Sequence, residues 1–173
     1  MIQKAINFTV AAHAGQLRKF VDVPYAVHPL RVAMRVCEHT EDDDVVIAAL
    51  THDVLEDCPA VTEQQLVDQF GLRVALIVAD LTNRHKGNRA ARKAAERAYA
   101  ANMSPEAQLI RLADIYDNLS TWPQGADPAF FKLYVNEKRL LYPVLNRSGA
   151  PELYRQVGEV IAKLTLDAPS ELG

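Results

Sequence analysis

The chain has 173 residues, 49% of them apolar and 24% charged, with a mean hydropathy of -0.09. That is the size and mix of one ordinary globular domain, and it excludes both an acidic disordered tail and an integral membrane protein. Nineteen Lys and Arg against 22 Asp and Glu leave a formal net charge of -3, so no overall positive field exists to hold a polyanionic duplex, and nucleic acid is not an expected partner.

Cys37 and Cys58 make neither a disulfide framework nor a C-x-x-C pair, and reduced, buried thiols in a cytoplasmic setting are the expectation. The longest apolar runs, Val45 to Leu50 and Val74 to Ala79, fall far short of the roughly 20 residues that cross a bilayer. No membrane partner is therefore expected. Lys4 to Ala14 carries the polar interruptions Asn7 and Thr9 and is too short to read as a secretory leader.

In chain order, Ile2 to His13 reads as an opening helix, followed by a Gly15 to Val27 loop that carries Arg18, Lys19 and Tyr25. Pro29 suits the first position of a second helix running to about His39, because its missing N–H costs nothing there. Asp42 to Leu55 reads as one helix, with Asp42, Asp43 and Asp44 at the positive end of its dipole and an apolar centre from Val45 to Leu50. Thr62-Glu63-Gln64-Gln65 fits a capping box, Gly71 a helix stop, and Val74 to Leu81 a further short helix. Asn88 to Asn102 is Ala-rich, Ser104-Pro105-Glu106 opens a helix through Leu119, and Asp127-Pro128 and Ala150-Pro151 open the last two. No segment alternates with period two for long, so the expected fold is all-α, a helical bundle of about eight helices in a single domain spanning 1–173.

The run Leu50-Thr51-His52-Asp53-Val54-Leu55-Glu56-Asp57 carries the chemistry. On a continuous helix, Glu56 follows His52 by four residues and Asp57 follows Asp53 by four, which gathers an imidazole and three carboxylates on one face. Like charges so placed repel by about 0.2 to 0.5 kcal/mol each even when exposed, and burial raises that cost. A cation would reverse the balance: neutral imidazole nitrogen and carboxylate oxygen suit divalent ions such as Mn²⁺, Fe²⁺ and Zn²⁺. His28, before Pro29, is a candidate third ligand, and Asp114, the acid in the apolar stripe of Leu112, Ile115 and Leu119, a candidate fourth. Read singly, each has a plainer alternative: His28 as a core or capping histidine, His52-Asp53 as a solvated helix end, and Asp114 as the partner of an arginine.

Five blocks, in order, resemble the hydrolase domain of the RelA/SpoT alarmone family. They are Ala12-His13-Ala14-Gly15-Gln16-Leu17-Arg18-Lys19, Pro24-Tyr25 with His28-Pro29-Leu30-Arg31-Val32-Ala33, Ala48 to Asp57, Phe70-Gly71, and Leu112-Ala113-Asp114 to Asn118. The match covers about residues 12–121, and helices within 128–166 would complete the fold. The resemblance implies an HD-type bundle, one Mn²⁺ (or another divalent ion) on His28, His52, Asp53 and Asp114, and removal of the 3′-pyrophosphate of (p)ppGpp. The roughly 50 residues after the match leave no room for a synthetase, so a free-standing small alarmone hydrolase is the expectation.

In such a site a bound divalent ion lowers the pKa of a water towards about 7. Glu56 is placed to accept or shuttle the proton, and Asp57 to orient the water or protonate the leaving oxygen; the family uses this pair catalytically. Arg18 can stack on a purine and Lys19 meet a phosphate; Tyr25 supports the base or packs in the core. Asn118 and Thr121 share the face of Asp114 and can hydrogen-bond ribose or phosphate, and the family places substrate contacts at both positions. His13 is expected to make a structural hydrogen bond beneath the site.

Residues 84–97 hold six basic side chains against Glu96, a net +5 that reads either as a solvated helix face or as a pyrophosphate-docking surface. Asp117 departs from the family pattern: it either points to solvent or, facing the site, repels phosphates. Other readings are a phosphatase of another ribose-phosphorylated nucleotide such as NADPH and a non-catalytic alarmone-binding module. An HD-GYP phosphodiesterase is disfavoured because no Gly-Tyr-Pro follows the His-Asp pair.

Overall fold

The computed structural model describes residues 1–19, 21–83, 85–122 and 127–166. Among the described residues, ten α-helical segments run in the order α1 (Ile2–Ala12), α2 (Val27–Cys37), α3 (Asp43–Leu50), α4 (Val54–Asp57), α5 (Glu63–Phe70), α6 (Leu72–Leu81), α7 (Arg89–Ala100), α8 (Pro105–Ser120), α9 (Pro128–Leu141) and α10 (Pro151–Leu166). Among the described residues the only β pairing is an isolated antiparallel bridge between Leu17 and Pro24, which pins the loop after α1. The fold is all-α, as the absence of period-two alternation implies.

The bundle is organised round α8. Eleven of its residues are buried, including Ile110, Leu112, Ala113 and Ile115 at 0% exposure. A helix apolar on nearly every side must be covered on nearly every side, and α2, α3, α6 and α10 pack on it. Gln108 sits in this core with both ends satisfied: its amide donates to the Ala100 carbonyl at 2.9 Å, and its oxygen accepts from the Arg147 N–H at 2.8 Å. The capping box at Thr62 and Gln65 forms as the sequence implies, and Gly71, at φ +93°, turns the chain from α5 into α6.

Two boundaries differ from the sequence reading. First, α2 begins at Val27, two residues before Pro29, which lies in the first turn where an N–H has no helical partner in any case. Second, the helix expected over Asp42 to Leu55 breaks at Thr51–Asp53. Thr51 Oγ1 donates to the Ile47 carbonyl at 2.8 Å and His52 Nδ1 to the Ala49 carbonyl at 2.9 Å, so side chains take over the last turn's carbonyls and the chain leaves the helix. His52 and Glu56 therefore do not share one continuous helical face. A third correction concerns the thiols: Cys58 is buried, but Cys37, at the end of α2, is exposed.

Because Ile110 is fully enclosed at the centre of α8, Ile110→Ala should lower unfolding free energy by about 2 to 5 kcal/mol, the usual cost of a core cavity; urea denaturation of the two proteins checks this.

Candidate metal centre and active site

Three segments bring four side chains to one point. His28 comes from the first turn of α2, His52 and Asp53 from the break between α3 and α4, and Asp114 from α8. His28 Nε2 lies 3.2 Å from Asp114 Oδ1 and 3.6 Å from Asp53 Oδ2, and His52 Nε2 lies 3.1 Å from the same Asp53 oxygen. Ligand atoms of His28, His52 and Asp114 all fall within 4.8 Å of one another, and Asp53 closes the group through its contacts with both imidazoles. His28 and His52 are 1% and 2% exposed, so this is an interior site rather than a solvated helix end.

Each imidazole is held with the same nitrogen inward. His52 Nδ1 donates to the Ala49 carbonyl at 2.9 Å, which leaves Nε2 with a lone pair, buried and without a hydrogen-bond partner. His28 Nδ1 meets Asp117 Oδ2 at 2.7 Å, again turning Nε2 to the centre. An unpartnered buried nitrogen facing two carboxylates is what a cation-binding site leaves behind, because a metal ligand must offer its lone pair elsewhere than to a proton. Two nitrogens and two carboxylate oxygens suit an intermediate divalent ion.

Burial opposes ionisation of Asp53, but His52 and His28 hold its carboxyl well below the usual range. Burial likewise opposes ionisation of Asp114, and His28, Lys138 and Arg111 outweigh it. Arg111 Nη1 reaches Asp114 Oδ2 at 3.4 Å, so the arginine-partner reading and the ligand reading of Asp114 hold together, one oxygen for each.

Arg18, Lys19, Tyr25, Asp57, Asn118 and Thr121 line one cleft of about 250 Å³ beside this centre. Arg18 donates to Asn118 Oδ1 at 2.9 Å and its guanidinium lies over the Tyr25 ring, 5.8 Å from the centroid. The Asn118 amide in turn donates to Asp114. Tyr25 donates to Asp53 Oδ2 at 2.7 Å and stacks on His13 at 4.7 Å, so it joins the cleft to the candidate metal centre instead of only packing in the core. Burial, with Asp53 beside it, pushes the Tyr25 phenol far above its ordinary value, and it stays a donor. His13, buried, bonds Gln16 at 2.8 Å. Thr121 spends its hydroxyl proton on the Asp117 carbonyl at 2.6 Å and has only acceptor capacity left for a ligand.

Glu56 and Asp57 diverge. Asp57 lines the cleft just described, whereas Glu56 lines a neighbouring cavity of about 390 Å³ with Thr62, Glu63 and Asn83. Glu56 accepts from the Asn83 N–H at 3.3 Å, and although its side chain reaches solvent, the surrounding protein lifts its carboxyl above the ordinary value.

The sequence reading missed the aromatic wall of the cleft. Trp122, two residues past α8, packs at a tilt with its ring centroid 4.9 Å from that of Phe131 and 5.1 Å from that of Tyr134, and Phe130 and Tyr134 of α9 also line the space. The signal was Phe130 and Tyr134 four apart at the start of a capped helix, close after the chain's one tryptophan.

The basic stretch is mostly engaged with the protein itself. Arg89 forks onto Glu137 at 2.6 and 2.9 Å, Lys93 meets Glu96 at 2.6 Å, and Arg97 bonds the Lys93 carbonyl; Arg84 lies outside the described residues. Asp117 takes neither expected direction. It is buried behind His28.

One pH dependence follows. Burial disfavours an imidazolium at His28, yet Asp114 and Asp117 outweigh it and push the ion-free group up to about 9. Metal needs the neutral imidazole, so below that value a proton must leave before an ion binds. Mn²⁺ affinity should therefore fall as pH falls from about 9 to 7, by about tenfold per unit for one competing proton. Titration with Mn²⁺ at several pH values reads this directly, and His52→Ala should abolish binding at all of them.

A family model described as HD domain matches residues 5–129. The guanosine-3′,5′-bis(diphosphate) 3′-pyrophosphohydrolase of Aquifex aeolicus (strain VF5) is 36% identical over 152 residues, covering 86% of this chain and 21% of that protein. The chain thus spans about a fifth of the length of that relative. The Danio rerio guanosine-3′,5′-bis(diphosphate) 3′-pyrophosphohydrolase MESH1 is 34% identical over 123 residues, covering 69% of this chain and 67% of its own length. A solved metazoan orthologue of SpoT, described as hydrolysing ppGpp, superposes with a TM-score of 0.87 at 26% identity, over 95% of this chain and 96% of that one. With its family model covering the metal-centre residues and its helices following that orthologue's over nearly their whole length, the chain belongs to the HD-domain family, alongside the RelA/SpoT-type hydrolases.

Proposed function

We propose that the chain is a divalent-metal-dependent hydrolase that removes the 3′-pyrophosphate of (p)ppGpp, giving GDP or GTP and pyrophosphate. The observation that carries this is the meeting of His28, His52, Asp53 and Asp114 beside a cleft with arginine on one side and aromatic rings on the other. The relatives named for this reaction support it. Mn²⁺ is the proposed ion and cytoplasm the proposed setting, consistent with the unpaired Cys37 and Cys58; among the described residues no helix is long and apolar enough to cross a membrane. Residues 1–173 are read as one phosphohydrolase unit.

When bound, a divalent ion polarises a phosphoryl oxygen and acidifies water. The residues divide the remaining work. The guanidinium of Arg18 and the rings of Trp122 and Tyr134 give a purine two faces to stack on, and Lys19 offers charge to a phosphate. Asn118, held by both Arg18 and Asp114, ties the position of the nucleotide to that of the centre. Glu56, its carboxyl lifted above the ordinary value, accepts the proton of the attacking water. The P–O3′ bond breaks, and Asp57, on the nucleotide side, passes a proton to the leaving ribose oxygen.

A panel of ppGpp, pppGpp, NADPH and simple nucleotides with Mn²⁺ should show pyrophosphate release from the first two and none in chelator. Phosphate release from NADPH instead would assign the site to another ribose-phosphorylated nucleotide, and binding of ppGpp without turnover to a sensing module. Glu56→Gln should keep Mn²⁺ and lose at least about two orders of magnitude in kcat. Arg18→Ala should act chiefly on KM.

A further inference from the structure

Asp117 has no role in the resemblance to the RelA/SpoT family, so its role has to come from its contacts. Both of its oxygens are engaged. Oδ1 accepts from Arg31 Nε at 2.6 Å; Oδ2 lies 2.7 Å from His28 Nδ1 and accepts from Arg31 Nη2 at 3.2 Å. The carboxylate is 8% exposed, and Arg18 Nη2 stands 4.0 Å away. This forked arginine–carboxylate pair fixes the carboxylate in plane as well as in place.

The spacing adds to this. His28 and Arg31 are three apart on α2, and Asp114 and Asp117 are three apart on α8, so the two helices are joined by the contacts His28–Asp114 and Arg31–Asp117 one turn apart, with His28–Asp117 between them. The inner contact is between the two ligand candidates, His28 and Asp114. The outer one, Arg31 with Asp117, clamps the inner one from behind. His52 is braced only by a neutral backbone carbonyl, whereas His28 is braced by a carboxylate that is itself held by a cation. A carboxylate on the far nitrogen fixes the ring's orientation, keeps the proton on Nδ1, and makes Nε2 the more basic donor.

We infer that Asp117, clamped by Arg31, is a positioning residue that aims His28 at the metal and sets how tightly the ion is held. The inference rests on the metal-centre reading, and metal binding without nucleotide tests it apart from the substrate assignment. The probe is Mn²⁺ alone, with its dissociation constant read from the electron paramagnetic resonance signal of free ion and the melting temperature of the ion-free protein measured in parallel. Asp117→Asn nearly preserves shape but removes the charge. Compared as pH-independent affinities, so that proton competition at His28 does not enter, it should weaken Mn²⁺ binding by about 10- to 100-fold, the usual loss for an outer-layer partner of a metal ligand. In ¹⁵N spectra of the Zn²⁺-loaded protein, His28 should change its ring-nitrogen shifts while His52 keeps its own, a signature that a merely structural role would not produce.

Wild-type Mn²⁺ affinity in Asp117→Asn overturns the inference. Should that variant not fold, Arg31→Met decides, because Arg31 is partly exposed and its loss leaves Asp117 in place; binding about threefold to tenfold weaker supports the clamp, and unchanged binding overturns it. Failure of the unaltered protein to bind Mn²⁺ overturns the metal-centre reading itself, and this inference with it.

Discussion

The site depends on four candidate ligand side chains meeting at one point, three of them buried and Asp53 at the edge of the interior, although two of the four carry negative charge. His28, His52, Asp53 and Asp114 approach one another to between 3.1 and 3.6 Å in an interior where unbalanced charge is expensive. Protonated imidazole can balance the acids in the ion-free protein, which is why His28 is pushed up to about 9. A divalent ion satisfies the same group through the Nε2 atoms that the contacts at Nδ1 already turn inward. Fold and centre are therefore one problem: the helices must be rigid enough to hold the acids close, and the acids need a cation.

Rigidity comes from α8. Its nearly continuous burial lets one helix carry Asp114 to the candidate metal centre, Asn118 to the adjoining cleft and Asp117 to the back of His28, at intervals of three and four residues. The break at Thr51–Asp53 supplies the rest of the centre. A continuous helix would carry His52 and Asp53 outward on diverging directions about 100° apart, as residues one apart always are. Leaving the helix allows both to face His28, while the Ala49 carbonyl, freed at the helix end, becomes the brace for His52.

The two cavities on either side of Glu56 and Asp57 give adjacent carboxylates different surroundings. Asp57 faces the cleft with the arginine and the aromatic wall, and Glu56 the cavity bounded by Asn83 and Glu63. Neighbours in sequence thus become candidates for opposite ends of one reaction, water on one side and leaving oxygen on the other.

The all-α class, the caps at Thr62 and Ser104, the stop at Gly71 and the candidate ligand set were all legible in the chain, because periodicity, capping and side-chain chemistry act over a few residues. Less was legible where the decisive partner is remote. The aromatic wall needs α9 folded against Trp122, the split of Glu56 from Asp57 needs the helix break, and Asp117 is 89 residues from the imidazole it braces. The resemblance could show that Asp117 was a departure but not which way it pointed. Residue types and short-range spacing put forward the candidate ligands; only packing α2 against α8 decided which nitrogen of His28 is presented, since a ring's orientation is set by whatever the fold places on its far side.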